Sequence, residues 1–258
     1  MNINVKLELP EPINKALSPV CQSIGNTLAY AWDGAFAHLT LWSKKRIFKF
    51  EHDFSAYKQS VETHIGAIPQ EDLKEPRLSL VGPAIEASKY YIEEPVIREM
   101  FAKLIAADVD KRKEGLVHHS YVDIIKQMSP MDARILKEFQ NPTHLARCLV
   151  AQKNPPNTSL VFSDIYLSDT ISEYNEEVSI SISNLDRLGL IDIPTRNLNG
   201  IIIDGSNEEM LHRFQTTALY KELSSLSSDF TTNYESFEVR TYLAYLTQLG
   251  NSFRYICL

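Results

Sequence analysis

The stretch from Pro76 to Met128 limits the fold more than any other part of the sequence, because prolines divide it into three short helices. Gly82–Pro83 predicts a helix that starts at Pro83, where proline gives up only an N–H that would have no partner. Glu94–Pro95 predicts a second start, since the residue before a proline avoids the helical conformation. Apolar residues then recur at i, i+3, i+4, i+7 and i+8, which is one face of an amphipathic helix: Ile97, Met100, Phe101, Leu104 and Ile105. A third apolar face follows a polar turn and consists of Tyr121, Ile124, Ile125 and Met128.

The first 75 residues also predict helices. Residues 1–9 alternate between apolar and polar, which is typical of an extended arm. Residues 12–66 carry helical periodicity, with a basic cluster at 44–49 that we interpret as a solvated helix face. We therefore expect an N-terminal helical region over residues 1–75, with the three helices of residues 76–128 packing on it.

The last part of the chain, residues 129–258, mixes helix and strand signals. Ser129–Pro130–Met131–Asp132 predicts a capped helix, and Thr143 predicts a further helical turn or two up to Ala151. Helix, strand and turn signals then follow in this order: a glycine-capped helix ending at Gly189, a strand at 190–193, a loop, a returning strand at 201–203, a helical insertion near 206–226, an alternating strand at 237–245 and a last helix capped by Thr247.

This order of elements predicts a winged-helix-like domain with a helical insertion. The expected fold class is therefore mainly α, with an N-terminal helical domain and a C-terminal winged-helix-like α+β domain. At 258 residues and 44% apolar composition, the chain is long and apolar enough for two such cores.

Charge and cysteine content narrow the classes of partner. A net charge of −7 argues against broad binding to nucleic acid or to an anionic membrane. Three scattered cysteines, Cys21, Cys148 and Cys257, are typical of reduced thiols in a cytoplasmic protein. The apolar run 24–42 contains Asp33 and His38, and a charge at the bilayer centre costs at least about 2.5 kcal/mol. We therefore expect a cytoplasmic protein without a membrane span.

The sequence lacks the common catalytic motifs. It has no phosphate-binding glycine loop, no zinc-ligand spacing and no nucleophile elbow. We therefore predict no cofactor, no metal and no assigned catalytic residue, and whether the protein is an enzyme stays open. Asp108–Val109–Asp110 precedes three basic residues, and we interpret it as a solvated helix end.

Four residues of the proline-divided stretch are candidates for a binding cleft: Arg98, Glu99, His118 and Asp123. Three of them also have a structural interpretation. Arg98 and Glu99 have the i, i+4 spacing for ion pairs with Glu94 and Lys103, which would add a few tenths of a kcal/mol each. His118 stands at a helix start, where a capping or packing role is expected.

The predicted winged helix does not carry the charge that DNA binding requires. From Ile171 to Gly189 there are four acidic residues and one basic residue, Arg187. A recognition helix neutralises phosphates with lysine or arginine. We therefore expect this domain to bind protein or to be structural.

Several segments together resemble the abortive infection alpha (Abi-alpha) family of bacterial and prophage proteins. The segments are Gly82–Ala84 with Tyr90–Tyr91, Arg98–Ala102, Ile124–Gln127, Asn184–Ile191 and Leu246–Gly250. The resemblance implies a cytoplasmic phage-defence protein, which we expect to act as a sensor or adaptor through contact with a phage or host protein. The alternatives are a hidden enzyme such as a nuclease and a winged-helix DNA-binding regulator. The family supplies no catalytic residues to transfer, and homo-oligomerisation stays open.

Overall fold

The protein forms two compact units in a computed structural model that describes residues 19–36, 47–152, 157–194, 207–228 and 234–258. Unit 1 comprises Met1–Ala133 and Ser252–Leu258, and unit 2 comprises Arg134–Asn251. The described residues are mainly α-helical, as the sequence predicts. The predicted arm at 1–9, the returning strand at 201–203 and most of the basic cluster at 44–49 lie outside the described residues.

Unit 1 is helical throughout its described part. Its helices are α1 (Pro19–Phe36), α2 (Ile47–Gly66), α3 (Leu78–Ser88), α4 (Pro95–Asp108) and α5 (Ser120–Lys126). Pro95 occupies the start of α4, which confirms that prediction. The apolar face predicted for this helix is buried, with Ile97 and Phe101 both fully covered. The three-helix prediction for residues 76–128 is therefore confirmed.

The predicted start at Pro83 is wrong, because α3 begins at Leu78 and Pro83 lies inside it. Proline inside a helix removes the bond to the carbonyl four residues earlier, here that of Ser79. Ser79 and Pro83 are both exposed, so that carbonyl can bind water instead. A proline on a solvent-facing side is thus tolerated, and the sequence rule placed the start five residues too late.

α6 (Pro130–Glu138) carries the chain from unit 1 into unit 2. Its predicted cap is present: the Asp132 N–H donates to Ser129 Oγ over 3.1 Å, and the Ser129 N–H donates to Asp132 Oδ2 over 2.7 Å. Two backbone donors at the helix start are thereby satisfied.

Unit 2 contains an antiparallel sheet in the order β2-β1-β4-β3. The strands are β1 (Thr143–Gln152), β2 (Asn157–Ile165), β3 (Ile191–Asp192) and β4 (Tyr234–Leu246). The helix predicted from Thr143 to Ala151 is wrong, since this segment is β1 and pairs with β4 along its whole length. Its alternate residues Ala146, Cys148 and Val150 are buried on one face, which is the strand period. The second helix of the predicted winged-helix order of elements is therefore a strand.

The helices of unit 2 agree better with expectation. They are α7 (Glu176–Arg187), α8 (Glu208–Thr216), α9 (Ala218–Ser228) and α10 (Gln248–Cys257), of which the last runs on into unit 1. Gly189 has φ +70°, so it is the predicted left-handed cap after α7. The predicted helical insertion is two helices, α8 and α9. They pack on the buried face of β1, α8 through Met210 and Phe214 and α9 through Leu219 and Tyr220.

The two cysteines whose side chains are described are free and buried, as predicted. Burial raises the pKa of Cys148 to about 11 and also raises the pKa of Cys257. Both are therefore protonated, unreactive thiols. Within the described ranges, no helix has the length and apolarity needed to cross a membrane.

Candidate functional site

Arg98 and Glu99 lie on α4 and both contact α2. Arg98 Nη1 donates to the carbonyls of Ile92 (2.8 Å) and Asp53 (3.3 Å), and it pairs with the Asp53 carboxylate at 3.4 Å. The predicted ion pair between Arg98 and Glu94 is wrong, because these carbonyls and Asp53 bind the guanidinium instead. Arg98 thus ties α4 to α2.

Glu99 is the centre of a small polar cluster. Its carboxylate accepts hydrogen bonds from Ser60 Oγ and from His64 Nε2, the latter over 2.5 Å. Partial burial works to raise the pKa of Glu99, but the bonds from Ser60 and His64 and the charge of Lys103 outweigh it, so the pKa lies below its ordinary value. Glu99 is therefore ionised at neutral pH. Lys103, expected to pair directly with Glu99, donates to the Leu258 carbonyl over 2.6 Å.

This cluster does not have the arrangement of a hydrolytic triad. Ser60 donates its only hydroxyl proton to the carboxylate and not to the imidazole. A serine nucleophile needs its Oγ hydrogen-bonded to the base. The three side chains therefore brace α2 against α4.

His118 and Asp123 lie elsewhere: His118 comes just before α5, Asp123 lies within it, and both are exposed. His118 Nδ1 accepts from the Ser120 N–H (3.1 Å) and contacts Ser120 Oγ (2.7 Å), which confirms the predicted capping role. Asp123 pairs with Lys126 at 2.9 Å. The four candidates thus fall into two separate groups, and Glu99 is connected through His64 to the cavity described next.

That cavity, called the groove below, has a volume of about 270 Å³ and lies between α2, α4 and α10 in unit 1. Its buried apolar lining consists of Ile68, Ala106 and Ile256. Polar and outer residues complete it: His64, Ala67, Lys103, Asp110, Arg112, Lys113, Tyr255 and Leu258. His64 joins the groove to Glu99, because its Nε2 faces the carboxylate while the residue lines the wall.

The rim of the groove carries exposed apolar surface. Tyr255 is 65% exposed, and Lys113 Nζ lies 5.6 Å from the centre of its ring. Leu116 is 40% exposed, and its carbonyl accepts from Ser252 Oγ, one turn before Tyr255. Tyr255 is distant in sequence from His64 and Lys103, so periodicity alone could not bring them together.

The acidic pair at the end of α4 is buried, so the predicted solvated helix end is wrong. Asp108 is fully buried and accepts from both the backbone and the guanidinium of Arg77, at 2.7 and 2.6 Å. Asp110 lies past the end of the helix and binds Arg112 through both oxygens. The hydrogen bond from Arg112 lowers the pKa of Asp110. Because α4 ends between them, these two acids take separate arginine partners.

Unit 2 has a second, more polar cavity of about 380 Å³. Its carboxylates already have partners: Thr170 Oγ1 donates to Glu138 over 2.6 Å, and Arg213 binds both Asp169 and Glu209. Across the described ranges, no group of three or more histidine, cysteine, aspartate or glutamate side chains could hold a metal ion.

Comparison with known proteins places the chain by family alone. No curated protein and no solved structure matches it. The family model described as abortive infection alpha matches residues 49–257, which include parts of both units and every residue of the groove except Leu258. The chain belongs to the abortive infection alpha family.

Proposed function

We propose that this phage-defence protein acts as a sensor or adaptor that binds a phage or host protein, and that the groove with Tyr255 on its rim is the binding site. Family membership supports the phage-defence part of the proposal. The observation that carries the binding part is the buried apolar lining of the groove beside the exposed ring of Tyr255.

The size of the groove favours a protein side chain over a small-molecule ligand. At about 270 Å³ it is smaller than the roughly 300–1,000 Å³ of typical small-molecule pockets. An apolar anchor residue of a partner would fill such a space. Exposed tyrosines beside pockets of this kind are common energetic centres of protein interfaces.

The polar residues near the groove support binding rather than catalysis. Glu99 holds both Ser60 and His64. Asp110 is bound by Arg112. Glu99, His64 and Asp110 are thus already bound to other side chains of unit 1.

A plaque assay with two matched tyrosine variants tests this proposal. Tyr255→Ala removes the exposed ring from the rim. Tyr90→Ala removes a similarly exposed ring that also lies under a lysine, since Lys89 Nζ is 5.1 Å from its centre. Exposed substitutions of this kind change stability by only about 0.5 kcal/mol. We expect Tyr255→Ala to lose protection and its co-purified partner during infection, while Tyr90→Ala keeps both. Full protection by Tyr255→Ala would contradict the groove as the binding site.

The two alternative functions have separate assays. A nuclease would degrade nucleic acid or deplete nucleotides in cells that over-express the protein. The winged-helix DNA-binding regulator, which stays a prediction, would shift duplex DNA with a steep salt dependence. Either result, together with full protection by Tyr255→Ala in the plaque assay, would replace the adaptor proposal.

A further inference from the structure

Arg147 on β1 is a partly buried arginine with an unusual lack of partners. Its guanidinium carbon lies 5.0 Å from the centre of the Tyr242 ring, and this is its one side-chain interaction in the described chain. Its Nε is buried without an acceptor from any described residue. Arginine is seldom buried unless it is paired. The described fold therefore leaves a charged donor unsatisfied at this position.

The neighbouring strand adds a second positive charge. Arg240 on β4 is the direct antiparallel partner of Arg147, so both side chains lie on the same face of the sheet. Like charges directly opposite each other destabilise a sheet. Arg240 is held by Glu238 through two bonds of 2.8 Å, whereas Arg147 forms no ion pair with a described residue. Of these two arginines, Arg147 is thus the one without an ion-pair partner among the described residues.

The Tyr242 ring beneath Arg147 is held in place by a hydrogen-bond network. The Tyr242 hydroxyl donates to Asp164 Oδ1 over 2.8 Å and accepts from the Asp164 N–H over 2.9 Å. Ser183 Oγ of α7 donates to Asp164 Oδ2 over 2.8 Å. Asp164 adopts φ +55°, a left-handed conformation that this network holds in place. The Tyr242 ring is thereby fixed as a platform for the guanidinium.

A second orphaned polar group belongs to the same helix that covers this network. Ser179 lies one helical turn before Ser183 on α7, and its Oγ is buried without an acceptor or donor among the described residues. Hydroxyl and guanidinium N–H groups both donate to oxyanions. Arg147 Nε and Ser179 Oγ are thus two buried donors of unit 2 that no described residue satisfies.

We propose that Arg147 is an anion-binding residue of unit 2, which takes a carboxylate or phosphate group on its guanidinium, with Arg240 adding a second positive charge. The planar guanidinium matches the geometry of both groups with two parallel hydrogen bonds. A bound oxyanion would accept hydrogen bonds from the two Nη groups, because Nε is buried, and it would relieve the repulsion between the two arginines. This site lies in unit 2, so it is independent of the groove in unit 1.

The test follows the arginine Nε–H signals of the full chain by NMR during three titrations. The probes are sodium phosphate, sodium acetate and, as an ionic-strength control, sodium chloride. The Arg147 signal is identified by its absence in Arg147→Lys, a variant that keeps the positive charge. We expect a saturable shift of this signal with phosphate or acetate, because an oxyanion on the Nη groups changes the surroundings of the same guanidinium. The stronger of the two titrations identifies the preferred group.

Arg134 provides the matched control, because it is a unit 2 arginine already occupied by Glu138 (3.6 Å) and by the Thr170 carbonyl (3.0 Å). Its signal, identified with Arg134→Lys, should not move in any titration. A shift of the Arg147 signal that chloride reproduces, or no saturable shift with either oxyanion, would overturn the proposal.

Thermal unfolding is a second, independent measurement, since a ligand that binds the folded state raises the melting temperature. Phosphate or acetate should raise it more for the wild type than for Arg147→Lys, and equal rises would also overturn the proposal.

Discussion

Glu99 secures two side chains of α2 with one carboxylate. Ser60 and His64 are four residues apart, so they lie on the same face of α2 and reach the two oxygens of Glu99 separately. Their hydrogen bonds favour the ionised carboxylate, which is why its pKa is lowered despite partial burial. At the scale of residues, the charge state of Glu99 therefore contributes to the stability of unit 1.

Glu99→Gln should destabilise the protein by about 1 kcal/mol at neutral pH, a modest value because the Glu99 side chain is 40% exposed. A carboxylate whose pKa is lowered by folding stabilises fully above its unfolded pKa of about 4.3 and loses that contribution as pH falls through the folded pKa. Urea unfolding should therefore show the wild-type advantage shrinking below about pH 4. Glu75→Gln, at an exposed position, serves as the control and should show no such pH dependence. A pH-independent difference for Glu99→Gln would contradict this account.

The tautomer of His144 follows from the helix cap beside it. Asn207 Oδ1 accepts from the Met210 N–H over 2.8 Å at the start of α8, so its Nδ2 is the atom that faces His144 Nδ1 over 3.0 Å. An amide nitrogen donates, and Nδ1 must therefore be the acceptor. We expect ¹⁵N chemical shifts at neutral pH to show the proton of His144 on Nε2. In Asn207→Ala this preference should be lost and stability should fall by about 1 kcal/mol. A proton found on Nδ1 of the wild type would show that the amide is reversed.

At the scale of elements, the start of α10 lies directly on the segment that leads into β3. Thr247 donates from its backbone to the Leu190 carbonyl (3.1 Å) and from its hydroxyl to the Gly189 carbonyl (2.6 Å). Its hydroxyl also accepts from the Gly250 N–H over 2.9 Å, which confirms the predicted cap. The close approach leaves room only for a glycine, because a Cβ on Gly250 would lie 1.9 Å from the Leu190 oxygen.

Gly250→Ala should therefore destabilise unit 2 by about 1–3 kcal/mol or more, since the clash is with backbone that cannot rotate away. Gly34→Ala is the matched control, because nothing lies within 4 Å of its added Cβ inside α1. There alanine should be neutral or stabilise by up to about 1 kcal/mol, through its better helix propensity. Thermal unfolding of the two variants measures the difference. Equal effects would mean that α10 does not approach Leu190 this closely.

At the scale of the whole molecule, unit 1 is completed by the last residues of the sequence. Ser252–Leu258 belong to unit 1 although they follow the whole of unit 2. Phe253 is fully buried there, and its ring lies 5.2 Å from that of Tyr121 in an edge-on arrangement. The core predicted for the N-terminal helices thus depends on residues more than 100 positions later.

Phe253→Ala should lower the free energy of unfolding by about 3–5 kcal/mol, because it leaves a cavity at a fully buried position. Hydrogen exchange should locate the loss: the amides of α5 around Tyr121 should exchange faster, while those of β1 should not. Phe214→Ala, at a fully buried position in the core of unit 2, should show the reverse pattern. Faster exchange in β1 of Phe253→Ala would mean that the two units unfold together.

Local signals in the sequence predicted local structure well. The caps at Ser129, His118 and Thr247 all form, because each involves a side chain and a backbone group only two or three residues away. The candidate site was reached only in part. Glu99 was named, but its partners Ser60 and His64 lie 39 and 35 residues before it. Nothing in a helical period connects positions so far apart.

The sequence by itself determined most of the helix positions, most of their ends and the family, since periodicity, caps and short motifs depend on neighbouring residues. Tertiary structure decided the state of residues 143–152, because pairing with β4 overrides a weak helical preference. It also decided the burial of Asp108, which Arg77 stabilises from 31 positions away. The groove and the exposure of Tyr255 likewise exist only once α2, α4 and α10 pack. Long-range packing sets these features, because burial and partner choice depend on distance in space.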